Sequence, residues 1–297
     1  MIEEIVGDAS AALPRAVSVV IPAFNEGAHV ADQVRAVQAT MATSGWEYEI
    51  IVVDDGSRDH TATEADATGA RVLRRAMNRG YGAALKVGIR RARFDWILIT
   101  DADGTYPVES IPELLARAEH NAMVVGARLG KSVQIPLIRR PPKWFLNRLA
   151  SYLAGQRLPD INSGLRLMRK SLVERYEYLL PDGFSFTTTI TLAAACNGHP
   201  FEYVPINYHA RLGESKIRAR HAYDFTLLIL RIIVVFNPLK VFIPVGAILA
   251  ALGLAKFGYD ITKDNLSESA VLGLIGALVV WAVGLLADQN TRFASRR

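Results

Sequence analysis

The chain has 297 residues, 51% of them apolar and only 21% charged, a balance that excludes a disordered polar tail. Cys196 is its one cysteine, so no disulfide scaffold forms within the chain, and a lone thiol suits a reducing compartment. The net charge of +5 is basic without being extreme, and nucleic acid is not expected as a partner. One soluble domain of about 200 residues would leave roughly 90 residues to account for.

Residues 1–16 read as an N-terminal extension. Met1 to Arg15 is mixed in character and carries Glu3, Glu4 and Asp8, so no secretory signal is expected there. From Val17 onward, short β-branched runs alternate with helical patterns. Strands are predicted at Val17 to Ile21, Glu49 to Val53 and Trp96 to Thr100, with weaker candidates at Arg71 to Arg74 and Met123 to Val125. Helices are predicted at about Gly27 to Met41, Thr61 to Thr68, Gly80 to Arg91 and Ile111 to His120. Buried strands separated by amphipathic helices imply an α/β fold with a mostly parallel sheet covered on both faces.

Ligands of such sheets sit beyond the carboxyl ends of the strands, and polar clusters do follow each clear strand. They are Pro22-Ala23-Phe24-Asn25-Glu26, Asp54-Asp55-Gly56-Ser57 and Asp101-Ala102-Asp103. Asp101 and Asp103 can both reach a divalent cation; their hard oxygens suit Mg²⁺ or Mn²⁺ shared with substrate phosphates. Asn78 to Ala84 (NRGYGAA) offers a glycine-rich turn into a helix, suited to close backbone approach or to anion contact. It is not a dinucleotide fingerprint, because no G-x-G-x-x-G follows the first strand. His29, His60, His120, His199, His209 and His221 lack metal-ligand spacing, and His209 is the one expected to face the site.

The C-terminal third reads as membrane. Ala270 to Ala287 is 18 residues without a charge, about 27 Å as a helix against a hydrocarbon core of roughly 30 Å. Leu239 to Phe257 is nearly as apolar, with Lys240 and Lys256 near its ends where their amines can snorkel. Asn237-Pro238 separates it from a further apolar stretch, since proline removes a donor and disfavours helix before it. The expected organisation is a catalytic domain over 17–218, an interfacial helix within 219–238, a two-helix transmembrane hairpin over 239–288 and a basic tail over 289–297. The loop between the spans carries Asp260, Asp264 and Glu268, whereas the tail carries Arg292, Arg296 and Arg297. Positive charge prefers the cytoplasm, so both ends and the large domain are expected inside at a cell membrane.

The series PAFNE, DDGS, NRGYGAAL and DADG resembles a family-2 glycosyltransferase of the GT-A fold. Two later segments, Asp160 to Arg166 (DINSGLR) and Arg211 to Lys216 (RLGESK), are similar to the dolichol-phosphate mannose synthase branch with its bacterial polyprenyl-phosphate glycosyltransferases. The resemblance covers the chain from about Val17 to the paired C-terminal helices. It implies transfer of a sugar, mannose or glucose, from a nucleotide diphosphate sugar to polyprenyl phosphate at the cytoplasmic face. It implies that Pro22, Phe24 and Glu26 contact the nucleotide, that Asp54 lies near the base, and that Asp101 and Asp103 hold the metal with Ala102 lending backbone. By the same resemblance Arg128 lies near the transferring sugar and, with Asp103, carries the chemistry, while Arg211, Ser215 and Lys216 hold the acceptor phosphate. The chain departs from many relatives in having Thr105 where they carry glutamine, and Thr187-Thr188-Thr189 where they carry an acid.

The missing acid agrees with the same chemistry. A sugar hydroxyl needs a general base as it attacks, whereas a phosphate monoester, with a second pKa near 6, arrives ionised. What it needs is cationic positioning. Arg128 to Arg148 supplies Arg128, Lys131, Arg139, Arg140, Lys143 and Arg148 with no acid among them. Arginine is the better phosphate fork, which favours Arg139 or Arg140 as an acceptor contact; lysines such as Lys131 and Lys143 equally suit anionic membrane lipid. The expected reaction is a single inverting displacement. The alternatives are a glycosyltransferase using a lipid or glycan hydroxyl, and a non-enzymatic membrane lipid-binding module. A processive synthase would carry Q-x-x-R-W, which is absent. The residues leave the oligomeric state open, a homo-oligomer included.

Overall fold

Seven strands form one sheet in the computed structural model, in the order β3-β2-β1-β4-β6-β5-β7. The structure describes residues 15–129, 148, 150–152, 154–183, 185–208, 234, 237–263 and 267–294. They divide into two units, one within Met1–Pro136, Pro159–Ile190 and His199–Ser215, the other within Leu137–Leu158, Thr191–Gly198 and Lys216–Arg297.

In the first unit the strands are β1 (Ala16–Ala23), β2 (Glu47–Asp54), β3 (Arg71–Arg74), β4 (Trp96–Ile99), β5 (Met123–Arg128), β6 (Arg166–Arg169) and β7 (Phe201–Ile206). The helices are α1 (Val30–Ala42), α2 (Thr61–Asp66), α3 (Tyr81–Arg91), α4 (Ile111–Ala116) and α5 (Lys170–Tyr176), and α6 (Phe186–Cys196) follows them into the second unit. All pairings are parallel except those of β6, which runs antiparallel to both β4 and β5. The mostly parallel sheet expected from the sequence is thus present, with β6 as its one reversed strand.

Side chains alternate along each strand, so both faces need cover. Val17, Val19 and Ile21 of β1 join Val52 and Leu98 in a cluster with Val30, Val34 and Val37 of α1 and Leu114 of α4. The opposite face carries α3, where Gly88 lets the helix backbone approach so closely that an added Cβ would stand 2.4 Å from Val20 Cγ1. The connection from β3 returns past β1 to β4, so the order in which strands are added reverses between β1 and its parallel neighbour β4. That gap is the topological switch point of the sheet.

The second unit contains α7 (Leu239–Ile261) and α8 (Glu268–Ala294), each with a 23-residue stretch long and apolar enough to cross a membrane. Their buried positions recur every seven residues: Gly246, Gly253 and Asp260 on α7, and Ala270, Ala277 and Gly284 on α8. Small residues at these positions bring the helices close; a Cβ on Gly273 would lie 3.1 Å from Gly253 Cα. Asp260 closes the far end by accepting from Ser267 N at 3.0 Å and pairing with Lys256. Nearly everything else faces outward, including Leu272 at 73% and Leu252 at 63% exposure. In water such a surface would collapse; in hydrocarbon it is the stable arrangement. The helix expected within 219–238 lies outside the described residues, apart from isolated positions at its end.

Candidate active site

The strand ends on either side of the switch point deliver the polar clusters to one edge. At the end of β1, Pro22 is buried in register with Val53, and Phe24 and Glu26 are half-buried. This turn is stitched to the one after β2. Asn25, at φ 54°, a left-handed conformation its short amide tolerates, donates from its backbone N to Ser57 Oγ at 3.0 Å and accepts from Arg58 N at 2.9 Å. Glu26 N donates to Thr61 Oγ1 at 2.8 Å, and Gly27 N to Asp59 Oδ2 at 3.1 Å. Asp54, at the carboxyl end of β2, accepts from Ser57 N at 3.0 Å and is 5% exposed. Asp55, equally buried, accepts from Arg79 N and Gly80 N, the latter at 2.7 Å, and pairs with Arg75.

Directly after β4, Ala102 turns into the core at 3% exposure, so it offers the site only backbone, while Asp101 and Asp103 are half-buried on either side of it. Tyr81 Oη donates to Asp101 Oδ1 at 3.0 Å. Burial and the Asp101 carboxylate push this phenol well above the ordinary tyrosine range, so it remains a donor at neutral pH. Asp103 Oδ1 accepts from both Thr105 N at 3.2 Å and Thr105 Oγ1 at 2.6 Å. The threonine that replaces the relatives' glutamine therefore orients Asp103. Among the described residues no group of three His, Cys, Asp or Glu side chains is placed to hold a metal.

At the end of β5, Arg128 grips Asp160 in a fork: Nε to Oδ2 at 2.7 Å and Nη2 to Oδ1 at 2.8 Å, with Arg128 N also donating to Oδ2. Burial opposes the guanidinium charge, but the Asp160 hydrogen bonds outweigh it and hold its pKa above the ordinary arginine value. The Arg128 guanidinium lies over the Tyr208 ring, which meets Tyr106 edge-on at 5.3 Å. Tyr106 Oη in turn accepts from Gly164 N at 2.6 Å, and Gly164 faces Asp101 so closely that a Cβ would stand 2.9 Å from Oδ2. The DINSG segment thereby connects Arg128 to the paired carboxylates. Under it, Arg166 is fully buried and donates to the carbonyls of Ser163 and Thr187.

The structure places Pro22, Phe24, Glu26, Asp54, Asp101, Ala102 and Asp103 at the ends of the neighbouring strands β2, β1 and β4, and Arg128 at the end of β5, beyond β6. Arg139, Arg140, Arg211, Ser215, Lys216 and His209 lie outside the described residues. The NRGYGAA turn makes a close backbone approach and spends N–H groups on acceptors of the protein itself, the Asp55 carboxylate among them. Arg79 N and Gly80 N bind Asp55, Ala83 N binds Asp182 O at 3.0 Å, and a Cβ on Gly82 would stand 2.1 Å from Pro181 O. Thr188 donates to Asn162 Oδ1 and Thr189 to Ser185 O, so the hydroxyls that replace the relatives' acid are already bonded to protein acceptors. Sequence reasoning left Asp160, Tyr81, Tyr106 and Gly164 unassigned. Their signal was present only as position, in motifs whose contacts are long-range.

A mostly parallel sheet with paired carboxylates at its switch point is the architecture of a GT-A-type glycosyltransferase. The chain belongs to glycosyl transferase family 2, whose profile matches residues 18–177, and it is a glycosyltransferase. A second profile, the GtrB C-terminal hairpin, matches residues 237–293. The chain is 30% identical over 279 residues to the undecaprenyl-phosphate 4-deoxy-4-formamido-L-arabinose transferase of Klebsiella pneumoniae, covering 90% of this chain and 82% of that one. It is 31% identical over 273 residues to the transferase of the same name from Pseudomonas fluorescens, covering 90% and 78%. Both are by name undecaprenyl-phosphate sugar transferases, the bacterial branch the motifs resemble. Among solved structures, glucosyl-3-phosphoglycerate synthase from Mycobacterium tuberculosis, in complex with Mn²⁺, UDP and phosphoglyceric acid, superposes with a TM-score of 0.60 at 20% identity over 74% of this chain and 78% of that one, a likeness of fold.

Proposed function

We propose that the chain transfers a hexosyl group, mannose or glucose, from a nucleoside diphosphate sugar to polyprenyl phosphate at the cytoplasmic face of a cell membrane, inverting the anomeric carbon and using Mg²⁺ or Mn²⁺. The observation that carries this reading is the linkage of Asp101-Ala102-Asp103 to the Arg128–Asp160 fork through Gly164 and Tyr106 at one sheet edge. The relatives' named acceptor, the match to the GtrB C-terminal hairpin and the two apolar helices there support the lipid phosphate.

The donor set fits a divalent cation. Two half-buried carboxylates project from one turn, each oriented by a hydroxyl, and Gly164 leaves room where a side chain would crowd Asp101. Two protein carboxylates suit Mg²⁺ or Mn²⁺, which completes its shell with water and substrate phosphate. Bound to Asp101 and Asp103, the cation supplies positive charge to the departing diphosphate.

The chain's own residues do the rest. Pro22, Phe24, Glu26 and Asp54 line the nucleotide end. Asp160 fixes the guanidinium of Arg128 in one plane, so its positive charge would be held beside the transferring group at no further ordering cost during reaction. Arg139, Arg140, Arg211, Ser215 and Lys216 are assigned to the acceptor phosphate on their sequence alone. An acceptor phosphate oxygen forms the new bond to the anomeric carbon as the bond to the donor β-phosphate oxygen breaks, and the electron pair leaves with the nucleoside diphosphate. The acceptor arrives ionised, so the threonines at 187–189 need supply no base.

The test is to incubate membranes holding the protein with polyprenyl phosphate and a panel of labelled nucleotide sugars, including mannose, glucose and a 4-formamido pentose donor, then to analyse the lipid. A labelled, mild-acid-labile lipid is expected. A product that survives mild acid would identify a hydroxyl acceptor instead, and labelling by the pentose donor alone would overturn the hexose.

A further inference from the structure

Asp101 stands on a short turn, where a carboxylate has two soft torsions and several ways to face. Two neighbours bear on its orientation: Tyr81 Oη donates to Oδ1 at 3.0 Å, and Gly164 lies so near that a Cβ there would stand 2.9 Å from Oδ2 and 3.0 Å from Oδ1.

Tyr81 is itself held by contacts that have no other evident purpose. Asp55 takes the backbone N–H groups of Arg79 and Gly80, just before it. Gly80 adopts φ 105°, a conformation that disfavours any side chain, and a Cβ there would stand 2.6 Å from Asp182 O. Just after it, Gly82 packs on Pro181 O, and Ala83 N donates to Asp182 O. The glycine-rich turn is therefore a strut between the aspartate pair after β2 and the aspartate pair after β4. From it the Tyr81 side chain reaches the second pair at Asp101.

We infer that Tyr81 is a positioning residue, whose hydroxyl holds the Asp101 carboxylate in the orientation that binds a divalent cation together with the nucleoside diphosphate. The inference rests on the cation reading proposed above. Tyr81 touches neither the donor sugar nor the acceptor in this role; it acts through Asp101. A hydrogen bond to a charged group of this kind is worth roughly a factor of ten in the affinity it supports.

The experiment compares the full chain in detergent, wild type and Tyr81→Phe, which keeps the ring and removes only the hydroxyl. Free Mn²⁺ is measured by electron paramagnetic resonance during titration with UDP and with GDP, and the Mn²⁺ concentration for half-maximal transfer is measured alongside. The phenylalanine variant is expected to bind Mn²⁺ with nucleotide about tenfold more weakly, to recover most of its turnover at saturating Mn²⁺, and to keep its acceptor KM and thermal unfolding midpoint. Gly164→Ala, whose methyl would crowd the same carboxylate, is expected to weaken Mn²⁺ binding too, and Tyr81→Met, which also lacks the hydroxyl, is titrated in the same way if Tyr81→Phe fails to fold. Wild-type Mn²⁺ affinity in the folded variant overturns the inference, as does a loss of turnover that saturating Mn²⁺ does not restore. Transfer by the wild-type enzyme in chelator would overturn the cation reading itself, a result distinct from any behaviour of the variant.

Discussion

At the residue scale, Asp103 and Arg128 separate two kinds of contribution. Asp103 is oriented by Thr105, lies in a half-exposed turn and contributes little to packing. Asp103→Ala is expected to abolish transfer with no change in unfolding midpoint, and full activity of the variant, or of the wild type in excess chelator, would remove the cation from the reaction. Arg128 differs because its partner Asp160 is only 2% exposed. A lysine cannot span both carboxylate oxygens, so Asp160 would keep the backbone N–H donors of positions 128 and 162 but lose the side-chain fork. Arg128→Lys is therefore expected to lower kcat/KM by at least about tenfold and also to destabilise the domain. The size of the second effect lies below the roughly 3–5 kcal/mol of a fully removed buried partner, because the charge is retained. Steady-state kinetics alongside denaturant unfolding would read both; unchanged kcat/KM would show that the fork only supports the fold.

At the scale of elements, the approach of α3 to the sheet is a sensitive packing contact. Replacing a mid-helix glycine by alanine normally stabilises a helix by about 1 kcal/mol. At Gly88 the new methyl would meet Val20 Cγ1 at 2.4 Å and Val53 Cγ2 at 3.0 Å, both on fully buried, β-branched side chains with little rotamer freedom. Overpacking of this kind costs about 1–3 kcal/mol, so it wins. Gly88→Ala is expected to lower the unfolding midpoint of the full chain in thermal scans, and a raised midpoint would mean that α3 slides freely on the sheet. A slide would be felt at the site, because the first residue of α3 is Tyr81.

At the scale of the whole molecule, the apolar helix pair is what would let the proposed nucleotide-sugar enzyme meet a lipid acceptor. Its internal contact combines close backbone approach at Gly253 and Gly273 with Trp281 seated on Gly246 and Phe242 on Gly284, and many of its leucines are exposed. An exposed apolar surface of this kind suits hydrocarbon surroundings. Leu278 lies near the middle of α8 and is 62% exposed. Leu278→Arg would place a charge at mid-bilayer depth at a cost of about 2.5–3.5 kcal/mol on insertion scales, whereas Leu278→Phe costs almost nothing. Fractionation is expected to show the arginine variant depleted from membranes and the phenylalanine variant retained. Equal retention of both would indicate that the hairpin does not span.

The sequence by itself determined the periodicities and the punctuation. Runs such as Val17 to Ile21 and Trp96 to Thr100 could only be buried strands, the uncharged 18 residues from Ala270 could only seek an apolar medium, and the carboxylates at 54, 101 and 103 followed strands whose ends had to share an edge. These features are local, so pattern and propensity suffice to read them. The tertiary structure alone decided what depends on contact between distant segments. β6 is four residues long, begins with a buried arginine and runs antiparallel, so no period in Arg166 to Arg169 announced it. NRGYGAA looked equally suited to anions until Asp55 and Asp182 were seen to take its N–H groups. Asp160 became the anchor of Arg128 only when a segment 32 residues away folded against β5. A one-dimensional pattern records which residues wish to be buried or solvated; which carboxylate meets which guanidinium is fixed by the sheet order that carries them together.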